Sequence, residues 1–137
     1  MTPKERAERL ASIPLNALAR NHEWLRHCFA AELKQRLTNP DYEEFESIYH
    51  CALLLHIISD LDDLPLMYSA KCSGDMDLGC GFDWQFLYMR DPSTLKAYAR
   101  SIERPDIEEW IAEYEKYYFD EDMKNWLEGT TNYHRTV

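Results

Sequence analysis

Cys51-Ala52-Leu53-Leu54-Leu55-His56-Ile57-Ile58 is apolar nearly all the way round a helical wheel. A surface helix would leave one polar face, so this stretch predicts a helix with neighbours on several sides, as at the centre of a bundle. Extended outward, the segment 40–62 reads as one central helix, opened by Asn39-Pro40, which pairs a good cap with a proline in the first turn.

Proline and glycine divide the rest of the chain. Thr2-Pro3-Lys4-Glu5 has the pattern of a capping box, and Asp91-Pro92 repeats the cap-proline pairing. Pro14, Pro65 and Pro105 mark further boundaries. Three of the four glycines (Gly74, Gly79, Gly81) fall between Ala70 and Phe82, which predicts a Gly-rich loop over 71–82, and Gly129 reads as a helix stop. The helices expected are 3–12, 15–37 with a break near Asn21, 40–62, 92–103, 105–118 and 120–128, with a weak helix over 83–90 where a strand is the alternative. The fold class is all-α: a compact single-domain bundle of about five to seven helices over 1–129, followed by a short polar tail, 130–137.

The segment 105–118 tests the period. At 100° per residue, Ile107, Trp110, Ile111, Tyr114, Tyr117 and Tyr118 gather on one face, while Glu108, Glu109, Glu113, Glu115 and Lys116 take the rest. The expectation is an aromatic core face and an acidic outer one.

The 137 residues carry a formal net charge of −10, unevenly spread. Residues 1–36 balance at +3, and 37–137 at −13. Residues 106–128 alone balance at −7, through nine acids against Lys116 and Lys124. Such a surface disfavours direct binding to nucleic acid and to anionic membranes, and it favours basic partners. The start, Met1-Thr2-Pro3-Lys4-Glu5-Arg6, has no apolar signal region, and no stretch is long enough to span a bilayer, so a cytoplasmic protein with reduced thiols is expected.

No motif for chemistry in the chain is complete. His22-Glu23-Trp24-Leu25-Arg26-His27 has histidines five apart, which diverge on a helix, whereas the zinc motif HExxH needs four. His56 and Asp60 share one face and could form an oriented base, but the favoured reading is a core histidine satisfied by Tyr49, Ser59 or Asp60. Cys72 and Cys80, joined by His50, Cys51 or His56, have no diagnostic metal spacing, and Asp75-Met76-Asp77-Leu78-Gly79 lacks the closing Glu of a calcium loop.

What remains is a protein-binding function without catalytic residues, metal or cofactor: a small acidic inhibitor or adaptor that docks on the basic surface of a partner, such as a nucleic-acid-binding effector. The expected partner-binding residues are Glu108, Glu109, Glu113, Glu115, Asp120, Glu121 and Asp122, with Asp62 and Asp63 as a second knot. In size and charge the chain is similar to phage anti-defence proteins, anti-CRISPR proteins among them, and to the immunity proteins of nuclease toxins; the similarity is one of composition and covers no motif. The alternatives are a metal-binding helical-bundle enzyme using His56, Asp60 and the Cys72–Cys80 loop, and a non-catalytic regulatory subunit.

Overall fold

The computed structural model describes residues 1–135. Among them there are eight α-helices and no strand: α1 (Pro3–Ser12), α2 (His22–Thr38), α3 (Ser47–Ile58), α4 (Leu64–Lys71), α5 (Met76–Gly81), α6 (Pro92–Ser101), α7 (Pro105–Tyr114) and α8 (Asp120–Arg135). Short 3-10 turns join several of them, and no helix is long and apolar enough to cross a membrane.

α3 is the central helix. Ile48 and every residue from His50 to His56 are buried, because α2, α1, α8 and the turn at Trp84–Leu87 enclose it. Leu53, Leu54 and Leu55 are wholly inaccessible, each burial contributing roughly 1.5–3 kcal/mol. α6 and α7 pack on each other as a hairpin, and α4 packs on α5.

Several helix starts follow from their caps. Glu5 N donates to Thr2 Oγ1 at 3.1 Å and Thr2 N donates to Glu5 Oε1 at 3.4 Å, which completes the capping box. Asp91 accepts from Thr94 N at 3.1 Å, ahead of Pro92. The break near Asn21 is present, with 3-10 turns at Leu15–Ala17 and Ala19–Asn21 preceding α2.

Four expectations are corrected. The central helix spans 47–58, not 40–62. At its start Asn39 Oδ1 accepts from Asp41 N at 3.1 Å, a local turn that competes with helix, while Arg36 Nη1 holds Phe45 O at 2.9 Å. At its end Ser59 adopts a left-handed conformation (φ 63°), and its carbonyl accepts from Arg90 Nε at 3.0 Å and Nη2 at 2.7 Å. Second, the glycine-rich segment 71–82 contains α5, because Asp75 caps Leu78 N at 2.9 Å and Leu78 is buried as an anchor. Third, segment 83–90 is a 3-10 turn at Trp84–Leu87, which buries Phe86 and Leu87.

Fourth, α8 runs through Gly129 to Arg135, so residues 130–135 of the expected tail are helical, while 136–137 lie outside the described residues. The last turn is held by Arg135, whose Nη1 donates to Leu10 O at 2.9 Å and whose Nη2 donates to Ile13 O. These carbonyls belong to the end of α1, where a cation is favoured. Gly129 costs about 0.5–1 kcal/mol against alanine in a helix interior, yet a Cβ there would meet nothing within 4 Å.

Candidate partner-binding surface

α7 buries Ile107, Trp110 and Ile111 as its period requires, and Tyr114 stacks on Trp110 with ring centroids 4.5 Å apart. The helix stops at Tyr114 and a 3-10 turn covers Glu115–Tyr117, so the core face does not continue as expected. Tyr118 stays half-buried, stacked on Tyr88 at 5.5 Å. Tyr117 instead turns outward at 52% exposure, and Phe119 beside it is 60% exposed. Tyr117 rests at the end of an aromatic row, 6.1 Å from Tyr114 and 6.4 Å from Trp84.

The expected partner-binding acids fall into three groups. Glu109, Glu113, Asp120, Glu121 and Asp122 are exposed and make no ion pair among the described residues. The last three lie in the first turn of α8, where negative charge also stabilises the helix. Glu108 and Glu115 are paired within the molecule, to Arg100 and, at 3.0 Å, to Lys96. Asp62 is exposed and accepts from the Tyr98 hydroxyl at 2.9 Å; burial, then that bond, push the Tyr98 hydroxyl pKa up to about 12.

Asp63 does not belong to the surface. It is 1% exposed, receiving Arg26 Nε at 2.5 Å and facing His22 Nε2 at 2.6 Å. Arg26 Nη2 also reaches Asp60 at 3.2 Å. This cluster fastens the start of α2 to the α3–α4 junction, and the bond to Asp63 holds the Arg26 guanidinium above its ordinary pKa. The signal for it is the spacing of His22 and Arg26, four apart on one helix face. His27 points away from the cluster, 3.4 Å from Glu23.

His56 and Asp60 do not meet. His56 Nδ1 lies 3.1 Å from Phe86 O, its ring is edge-on to Trp126 at 5.1 Å, and burial lowers its pKa. Thus it is a satisfied core histidine, with Phe86 in place of the partners expected. Cys51 is buried with its thiol donating to Leu25 O at 3.1 Å, whereas Cys72 and Cys80 are exposed. Among the described residues no three His, Cys, Asp or Glu converge as metal ligands.

A cleft of about 470 Å³ lies between the start of α3 and the last turns of α8. Phe45, Tyr49 and Tyr133 form aromatic walls, with Glu46 and Asp83 at its edge. Arg36 Nη2 donates to the Tyr49 hydroxyl at 3.2 Å, and its guanidinium lies 5.8 Å and 5.5 Å from the Phe45 and Tyr49 ring centroids. Asp83 Oδ2 accepts from Trp126 Nε1 at 2.9 Å. A Cβ on Gly81 would sit 2.6 Å from the Tyr49 hydroxyl, so glycine there lets the ring lie flat. The lining comes from distant segments, so no local pattern in the sequence announces it. Comparison with protein-family models, with curated proteins and with solved structures finds no significant match for this chain.

Proposed function

We propose that the protein is a non-catalytic binding protein whose α7–α8 corner docks on a basic surface of another protein. The observation that carries this reading is the pair of exposed aromatics, Tyr117 and Phe119, with Lys116 Nζ 5.2 Å from the Tyr117 ring centroid, on the same segments as the exposed acids Glu109, Glu113, Asp120, Glu121 and Asp122, which make no ion pair among the described residues. Interfaces concentrate their energy in aromatic anchors, while surrounding charges speed encounter and select the partner. Negative charges fixed on rigid helices can occupy a groove lined with Lys and Arg. A cytoplasmic inhibitor of a nucleic-acid-binding effector, of the anti-CRISPR or nuclease-immunity kind, is the form of this function that fits the size and charge best.

The test is affinity capture from a host lysate at low salt, followed by titration of the purified partner. Affinity should fall at least tenfold between about 50 and 300 mM salt, as screening shortens the reach of the charges. Tyr117→Ala/Phe119→Ala should weaken binding by about 2 kcal/mol without lowering the melting temperature. Salt-independent binding, or full binding by the Glu109→Lys/Glu113→Lys/Asp122→Lys variant, refutes the proposal.

A further inference from the structure

We infer that the cleft between α3 and α8 is a receptor for a single arginine side chain of the basic partner, an inference that rests on the docking reading above. Three independent features of the cleft fit a planar cation. Phe45 and Tyr133 are large aromatics left 47% and 68% exposed at its mouth, and the faces of such rings attract a guanidinium. Glu46 makes no ion pair among the described residues, and Asp83 uses only Oδ2 on Trp126, leaving Oδ1 to receive a donor. Gly129 leaves the wall of α8 open although no neighbouring atom demands it.

The charge also has the right sign. Arg36 is the one fixed cation of the lining and is turned inward, with Nη1 on Phe45 O and Nη2 on Tyr49. Two carboxylates, Glu46 and Asp83, also line the cleft. His134 adds nothing at neutral pH, because burial holds its pKa below the ordinary histidine value, and its ring is stacked on His50 at 5.2 Å. The lining is therefore net negative. An anionic or neutral aromatic ligand would offer nothing to Glu46 or to Asp83 Oδ1, whereas a guanidinium brings a fork of donors suited to carboxylates.

Trp126 supplies the reporter, since its indole N–H is bonded to Asp83. The probes are three blocked peptides, Gly-Gly-Arg-Gly-Gly and its lysine and citrulline counterparts, titrated into ¹⁵N-labelled protein. The arginine peptide should shift the Trp126 indole resonance with saturation, at a Kd on the order of 1 mM. Lysine should bind several-fold more weakly and citrulline not measurably. Gly129→Leu adds a side chain to the cleft wall from a helical position where its Cβ meets no atom within 4 Å; it should weaken arginine binding at least tenfold with the melting temperature unchanged or raised. Glu46→Gln should weaken it several-fold.

Equal shifts by arginine and citrulline, or undiminished binding to Gly129→Leu, overturn the inference. Capture of the protein partner separates it from the docking reading. Loss of capture in both Gly129→Leu and the α7–α8 charge-reversed variant supports both. Loss in the charge-reversed variant alone overturns the arginine receptor and leaves the docking corner standing. Loss in Gly129→Leu alone supports the cleft and overturns the corner.

Discussion

Replacing Glu32 by Gln removes one charge from the junction of α1 and α2 and changes almost nothing else. Glu32 is wholly inaccessible, and its Oε1 receives Arg6 Nε at 2.9 Å while its Oε2 receives the Tyr42 hydroxyl. Arg6 is buried too; its Nη1 donates to Met1 O at 3.0 Å, and its Nη2 has no hydrogen-bond partner. The guanidinium therefore depends on this carboxylate for compensation. Glu32→Gln keeps the shape and an acceptor but leaves a buried cation unpaired, which should cost about 3 kcal/mol. In a domain of this size that lowers the melting temperature by about 9 °C.

Arg6→Met strands the buried carboxylate instead and should cost a similar amount. The double variant Arg6→Met/Glu32→Leu should recover to within about 1 kcal/mol of the parent, since a packed apolar pair removes both desolvation penalties. Urea unfolding followed by circular dichroism supplies the three free energies. Single variants costing under about 1 kcal/mol each, or a double variant equal to the sum of the singles, would show that the pair is not isolated from water.

Two further outcomes follow from particular residues. Burial first, then the charges of His134 and Arg135, lower the His50 pKa to about 4, and Arg135 Nη1 lies 3.1 Å from a His50 Nε2 that can accept only when the ring is neutral. The unfolded chain binds the proton more readily, so this residue leaves stability intact above about pH 6.5 and removes up to about 3 kcal/mol as pH falls towards 4. The unfolding free energy from urea titration should fall less between pH 7.5 and 4.5 in His50→Gln than in the parent, by about 2 kcal/mol, and parallel losses would contradict the assignment. Glu103 ends α6 with φ 56°, where Arg104 N bonds Ala99 O and Glu103 N bonds Arg100 O, the arrangement that favours glycine. Glu103→Gly should raise stability by about 1 kcal/mol, read as a higher melting temperature.

Legibility of the fold tracked how local its causes were. Thr2, Pro3, Asp91 and Pro92 act within one turn of themselves, and the helices they open were readable from sequence. So was α3's burial, which needs only an absence of polar residues. The loss of helix over 40–46 was not, because it depends on Arg36 holding Phe45 O from another helix. The same holds at the surface. The exposed acids of α7 and α8 came from periodicity, but Asp63 was misplaced because its fate is decided by His22 and Arg26, 41 and 37 residues away. Tyr117 turned outward because α7 stopped one turn early, at a point no proline or glycine announces.

Arg135 also sets an order on the birth of the molecule. Its hydrogen bonds to Leu10 O and Ile13 O span 125 and 122 residues, so they cannot form until that residue has been synthesised and has left the ribosome. Until then the carbonyl end of α1 and the imidazole of His50 stay without their cation, and the flank of α3 that α8 covers stays open to water or to a chaperone. During synthesis α1 to α7 can take shape before these contacts of α8 close on them.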